Sequence, residues 1–131
     1  MTELKPPSTS VLDKYHGDAA RPLYTGRVRV SGGAARHGRT AALAACLRER
    51  HGVLPGDRVA IYAANAPEYL EALHAILWAG AVSVPVNYKL HAKELAYVLT
   101  DSGARVVLTS EALAPAVREA GAPQDAVLVF G

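Results

Sequence analysis

"PGDRVAIYAANAPEYLEALHAILWAGAVSVPV", residues 55–86, decides the fold. Pro55 and Gly56 mark a turn, and the short apolar run after them reads as a buried strand. "NAPEYLEALHAILWAG" then reads as a helix, with Asn65 and Glu68 at the spacing of a capping box. Pro67 falls in the first turn, where its missing N–H costs little, and Gly80 is the stop. "AVSVPV" is a second buried strand.

The same alternation continues downstream. "HAKELAYVLTDSG" predicts an amphipathic helix with Leu95, Val98 and Leu99 on one side and Gly103 at its end. "ARVVLTS" is a third strand, "EALAPAVREAG" a short helix starting near Pro115, and "DAVLVF" a fourth strand. Strands alternating with helices through short links call for an α/β fold: a mostly parallel sheet, right-handed crossovers and helices on both faces.

Upstream the pattern weakens. Residues 1–20 hold Pro6, Pro7 and several Ser and Thr without periodicity, and read as a flexible lead-in to a domain over residues 21–131. "LYTGRVRV" reads as a short strand pair, and Ser31 as the cap of a helix running to about Arg50, with Gly52 past its end.

Composition bounds the function classes. The chain has 131 residues, half of them hydrophobic, enough to bury a core as one domain or a piece of a larger one. The longest weakly polar run, "ALHAILWAGAVSVPV", is broken by His74, Gly80 and Pro85 and is too short for a membrane span. The N-terminus lacks the features of a secretory signal, and the lone Cys46 fits a reducing compartment, so the expected location is cytoplasmic. Seven arginines crowd residues 27–58, but no aromatic interleaves them to stack bases. They read as a solvated face, with no nucleic-acid partner.

No residue constellation nominates an active site. "SGGAARHGRT", residues 31–40, lies one substitution from the phosphate-loop pattern, with Arg39 where that pattern has lysine. Arginine is a poor point-charge substitute, and no apolar strand ends in a metal-holding aspartate, so the glycines read as tolerated positions at a helix start. His16, His37, His51, His74 and His91 show no metal-ligand spacing. His74 reads as a core or subunit-edge histidine, Asp57 as the holder of its own turn, and Glu68 and Glu71 as helix-start charges favoured by the dipole.

Residues 52–110 nevertheless resemble the N-terminal region of the AMP-forming acyl-CoA synthetases, the adenylate-forming superfamily. The shared pieces come in order: Gly-Val, Pro-Gly-Asp-Arg-Val-Ala before a strand, an Asn-x-Pro-Glu helix start, Ala-Gly-Ala, a Val-Pro-Val-Asn strand end, and Glu-Leu-x-Tyr-x-Leu running to Asp-Ser-Gly-Ala. Asn87 looks like the acyl-CoA ligase branch of that family. The resemblance implies a two-step reaction using ATP, magnesium and coenzyme A. It also implies that the family's own phosphate loop, adenine and ribose contacts and catalytic lysine lie beyond residue 131, so no catalytic or metal residue carries over. The one cofactor-binding candidate is Lys89, standing where many relatives have a basic residue, for a phosphate of coenzyme A. The expectation is an N-terminal fragment of an acid–CoA ligase, inactive alone and needing no cofactor itself, whose partner is the missing remainder of the synthetase or a second copy. The alternatives are a non-catalytic docking module, a truncated gene product, or a small phosphate-loop nucleotide binder.

At the first helix the chain departs from the resemblance. Relatives usually read Thr-Tyr-x-Glu-Leu where this chain has Ser31, Gly32, Gly33, Ala34 and Ala35, so weaker packing is expected there.

Overall fold

The structure, a computed structural model, describes residues 33–130, with side chains from His37 onward. The expected lead-in over 1–20, the strand pair in "LYTGRVRV" and the Ser31 cap lie outside the described residues. In order, the elements are α1 (Gly33–Glu49), β1 (Arg58–Tyr62), α2 (Pro67–Trp78), β2 (Val82–Val86), α3 (Ala92–Ser102), β3 (Val106–Ser110), α4 (Ala114–Glu119), a 3₁₀ turn (Gln124–Ala126) and β4 (Val127–Phe130). The four strands form one sheet in the order β2-β1-β3-β4, and every pairing is parallel.

Strand alternation divides the core into two layers. Val59 and Ile61 of β1, with Val106 and Leu108 of β3, meet Leu47 of α1 and Ala72 and Ile76 of α2. Ala60, Tyr62 and Val107 point to the opposite face and meet Leu95 of α3 and Val117 of α4. Both faces of the two central strands are covered, which is why those strands read as continuous apolar runs rather than alternating ones. α1 reaches the sheet alongside α2 through a seam of small residues, Ala44 against Ala75 and Ala79, flanked by Leu43 and Trp78. The alanines let two helix backbones approach closely without a large side chain between them.

The helix ends differ from the sequence expectation in one place. α2 is not closed by an Asn65–Glu68 capping box: its N-cap is Ala66, extended at φ −155°, with no side-chain cap bond. Pro67 takes the first helical position, so the cap falls on the residue before it and not on Asn65. The reciprocal glutamate appears one helix later, where the His91 backbone N–H donates to Glu94 Oε2 at 2.9 Å. Gly103 closes α3 in the left-handed region, at φ +65°.

The rim at the amino ends of the strands is stapled by side chains. Asp57 Oδ2 accepts from the Leu54 N–H at 2.8 Å, which holds the Pro55-Gly56 turn as expected, and the carboxylate faces Arg105 Nη1 at 3.5 Å. Arg58 Nε donates to the Ser102 carbonyl at 2.8 Å, tying the start of β1 to the end of α3. A Cβ at position 103 would lie 2.7 Å from Arg58 Nη2, so glycine serves both the backbone turn and this staple.

Among the described residues β2 and β4 are the two borders of the sheet. The Val82 N–H points inward, donating to the Asp57 carbonyl at 2.7 Å. Ladder alternation then turns positions 83 and 85 outward, and Pro85 has no N–H to offer there. Restoring a donor with Pro85→Val is expected to increase self-association, read as a larger weight-average mass in sedimentation at equal concentration. An unchanged mass would show that the proline does not guard this border.

Candidate functional site

The chain leaves β1 toward β2 on one side, whereas β3 and β4 extend the sheet on the other. In open parallel sheets such a reversal opens a crevice outside the carboxyl ends of the strands, and ligands bind there. On this rim stand residues 63–65 after β1, residues 87–90 after β2, and Ser110 and Glu111 at the end of β3.

Four polar contacts organise the rim. The Thr109 hydroxyl donates to the Tyr62 carbonyl at 2.7 Å, joining the ends of β3 and β1 inside the core. The Tyr62 side chain, only 2% exposed, donates its phenolic O–H to the Leu90 carbonyl at 2.8 Å. Asn87 Oδ1 accepts from the Lys89 N–H at 3.0 Å, and the Leu90 N–H returns to the Asn87 carbonyl at 3.1 Å, closing a tight turn. Burial pushes the Tyr62 phenol above its ordinary value, so it stays protonated and able to donate across the whole neutral range.

Lys89 is carried on that turn with its side chain exposed and its Nζ 6.0 Å from the centre of the Tyr88 ring. Asn87, the other residue singled out in the strand-end motif, builds the turn that presents it. Among the described residues there is no group of three or more His, Cys, Asp or Glu side chains placed to hold a metal ion.

The near phosphate loop has a different role. Gly33 through Thr40 lie inside α1, so the backbone N–H groups of its later residues are directed along the helix and do not form an anion cradle. Arg39 turns onto α2, where its Nε lies 3.1 Å from both carboxylate oxygens of Glu71 and its Nη2 pairs with Oε1. Hydrogen bonding to Glu71, with a longer-range attraction to Glu68, raises the Arg39 pKa against the opposing effect of burial. Glu71, expected with Glu68 as a helix-start charge favoured by the dipole, instead lies past the first turn of the helix, buried at the helix seam at 7% exposed and paired with Arg39. A would-be Cβ on Gly38 meets nothing within 4 Å, so no close approach demands that glycine.

Sequence reasoning passed over Tyr62 and Thr109. The available signal was a hydroxyl-bearing aromatic within an otherwise apolar strand, since a buried tyrosine generally needs an acceptor.

Comparison with known proteins agrees with the architecture. A family model described as "AMP-binding enzyme" matches residues 21–130. A feruloyl-CoA synthase from Amycolatopsis sp is 43% identical over 97 residues, covering 66% of this chain and 20% of that protein. A long-chain-fatty-acid–CoA ligase from Mycobacterium tuberculosis is 36% identical over 74 residues, covering 56% of this chain and 15% of the relative. Among solved structures, a benzoate CoA ligase from Burkholderia xenovorans LB400 superposes with a TM-score of 0.84 at 25% identity, over 98% of this chain and 26% of that one. The matched region thus spans a fifth or less of the length of these curated relatives.

Proposed function

Because the chain belongs to the AMP-binding enzyme family, we propose that it is the opening segment of an AMP-forming acid–CoA ligase, with its domain starting near residue 21, and that these 131 residues are inactive alone. The supporting observation is the match over residues 21–130 together with relatives that are acid–CoA ligases. In the proposed reaction a carboxylate oxygen attacks the α-phosphorus of ATP and pyrophosphate leaves. The thiol of coenzyme A then loses its proton and attacks the acyl carbonyl, forming the thioester and releasing AMP. ATP, magnesium and coenzyme A are used by the complete enzyme, and no step is assigned to a metal held by this segment.

The part given to these residues is scaffold plus one contact. Lys89, on the carboxyl-end rim, is the proposed partner of a coenzyme A phosphate, for which an exposed ammonium serves as a point charge. The acid is a fatty or aromatic carboxylate, two of the classes among the relatives, which also include ligases of 4-hydroxybutyrate and of crotonobetaine or carnitine. A cytoplasmic setting accords with these cosubstrates, and no helix among the described residues is long and apolar enough to cross a membrane.

ATP–pyrophosphate exchange with ferulate, benzoate and palmitate tests the proposal. The 131-residue chain is expected to give no exchange above the no-enzyme rate. Mixed with a feruloyl-CoA synthase lacking its corresponding first segment, it is expected to restore measurable thioester formation. Exchange by the chain alone would overturn the inactivity, and failure to restore thioester formation would count against the ligase-segment role.

A further inference from the structure

We propose that Tyr62 is the positioning residue of the 87–90 turn, and that its phenol fixes where Lys89 stands on the rim. The turn's own bonds shape it but do not anchor it, since both Lys89 N–H and Leu90 N–H return to Asn87 within the same four residues. An anchor must come from another element. The Tyr62 O–H supplies one, reaching from β1 to the Leu90 carbonyl at 2.8 Å across 28 positions of sequence.

The anchor is itself held. Tyr62 packs in the layer formed by Val86, Leu95 and Val107, so its ring is fixed by neighbours from β2, α3 and β3. Its carbonyl accepts the Thr109 hydroxyl at 2.7 Å in a fully buried position. A path therefore runs from β3 through β1 to the turn after β2, across the place where the strand order reverses. Side chains locked by packing and by a further hydrogen bond are the means by which a rim group is held in one place.

The consequence for ligand binding rests on the Lys89 reading above, whereas the anchoring does not. Tyr62→Phe removes the donor and keeps the ring. By amide hydrogen exchange in the 131-residue chain, the Lys89 and Leu90 amides are expected to lose protection about fivefold or more, as fits a lost hydrogen bond. Amides of β1 and β3 should hold theirs. Adenosine 3′,5′-bisphosphate, titrated at millimolar concentration against the same amide signals, is expected to bind several-fold more weakly in both Tyr62→Phe and Lys89→Ala. Unchanged protection at Lys89 and Leu90 in Tyr62→Phe would overturn the anchoring. So would a loss spread evenly through β1 and β3, since the hydroxyl would then be holding the core and not the turn. If Tyr62→Phe loosens the turn but Lys89→Ala leaves the titration unchanged, the anchoring stands and the coenzyme A contact falls.

Discussion

Ile61→Ala is expected to lower the unfolding free energy by about 2–5 kcal/mol, the range for deleting a buried aliphatic side chain. Ile61 is fully buried in β1, the strand that pairs with both β2 and β3, and its register partners are Pro85 and Leu108. It packs in the layer containing Leu47 of α1 and Ile76 of α2, so the cavity would open where three elements converge. Rigid sheet pairing on both sides leaves little room to collapse into the void, which favours the upper part of the range. A domain with about 5–15 kcal/mol in total would lose much of its margin. Urea unfolding followed by tryptophan fluorescence can measure the loss, because Trp78 lies at the end of α2. A loss below about 1 kcal/mol would show that β1 is not the packing centre assigned to it.

Arg39→Met is expected to cost about 1–3 kcal/mol, more than Glu71→Gln. The asymmetry follows from exposure. Glu71 has a side chain only 9% exposed, whereas that of Arg39 is 49% exposed. Removing the guanidinium leaves a carboxylate buried without its partner; removing the carboxylate's charge leaves a cation that water can solvate. The half-exposed arginine keeps the cost below that of a fully buried pair. Arg39→Met combined with Glu71→Leu should recover most of the loss, because neither charge then remains in the seam. The raised Arg39 pKa makes this contribution fully present below the ordinary guanidinium range and lost only as pH rises above it. The pair's guanidinium should therefore add no pH dependence near neutrality. Equal costs for the two single substitutions would contradict the assigned geometry.

The sheet and its helices were legible because their signals are local. Glycines 52, 80 and 103 stand just beyond helices with positive φ, and each is followed by a mainly apolar strand of five residues. The parallel pairing followed from alternation alone. Contacts made by side chains over long sequence distances were not legible: Arg39 and Glu71 are 32 positions apart, and Arg58 reaches the Ser102 carbonyl across 44. Nothing in the local pattern distinguishes a glutamate facing water from one facing another helix. The misplaced cap at Asn65 has a similar origin, since the spacing of a capping box ignores which residue Pro67 forces into the cap position. The proposal for Lys89 came from resemblance and not from pattern; the Tyr62 phenol that bonds the Leu90 carbonyl of the same turn lies on another strand and left only its residue type as a trace.

The outward-facing proline on β2 gives the sheet a polarity of a second kind, apart from strand direction. A ribbon that lengthens without limit must be able to accept a neighbour at each end. Among the described residues this sheet has an outer border interrupted at Pro85 and, on the other side, β4 without a proline among its residues. Two copies meeting through β4 would thus turn their interrupted borders outward, and the assembly would close at two instead of propagating.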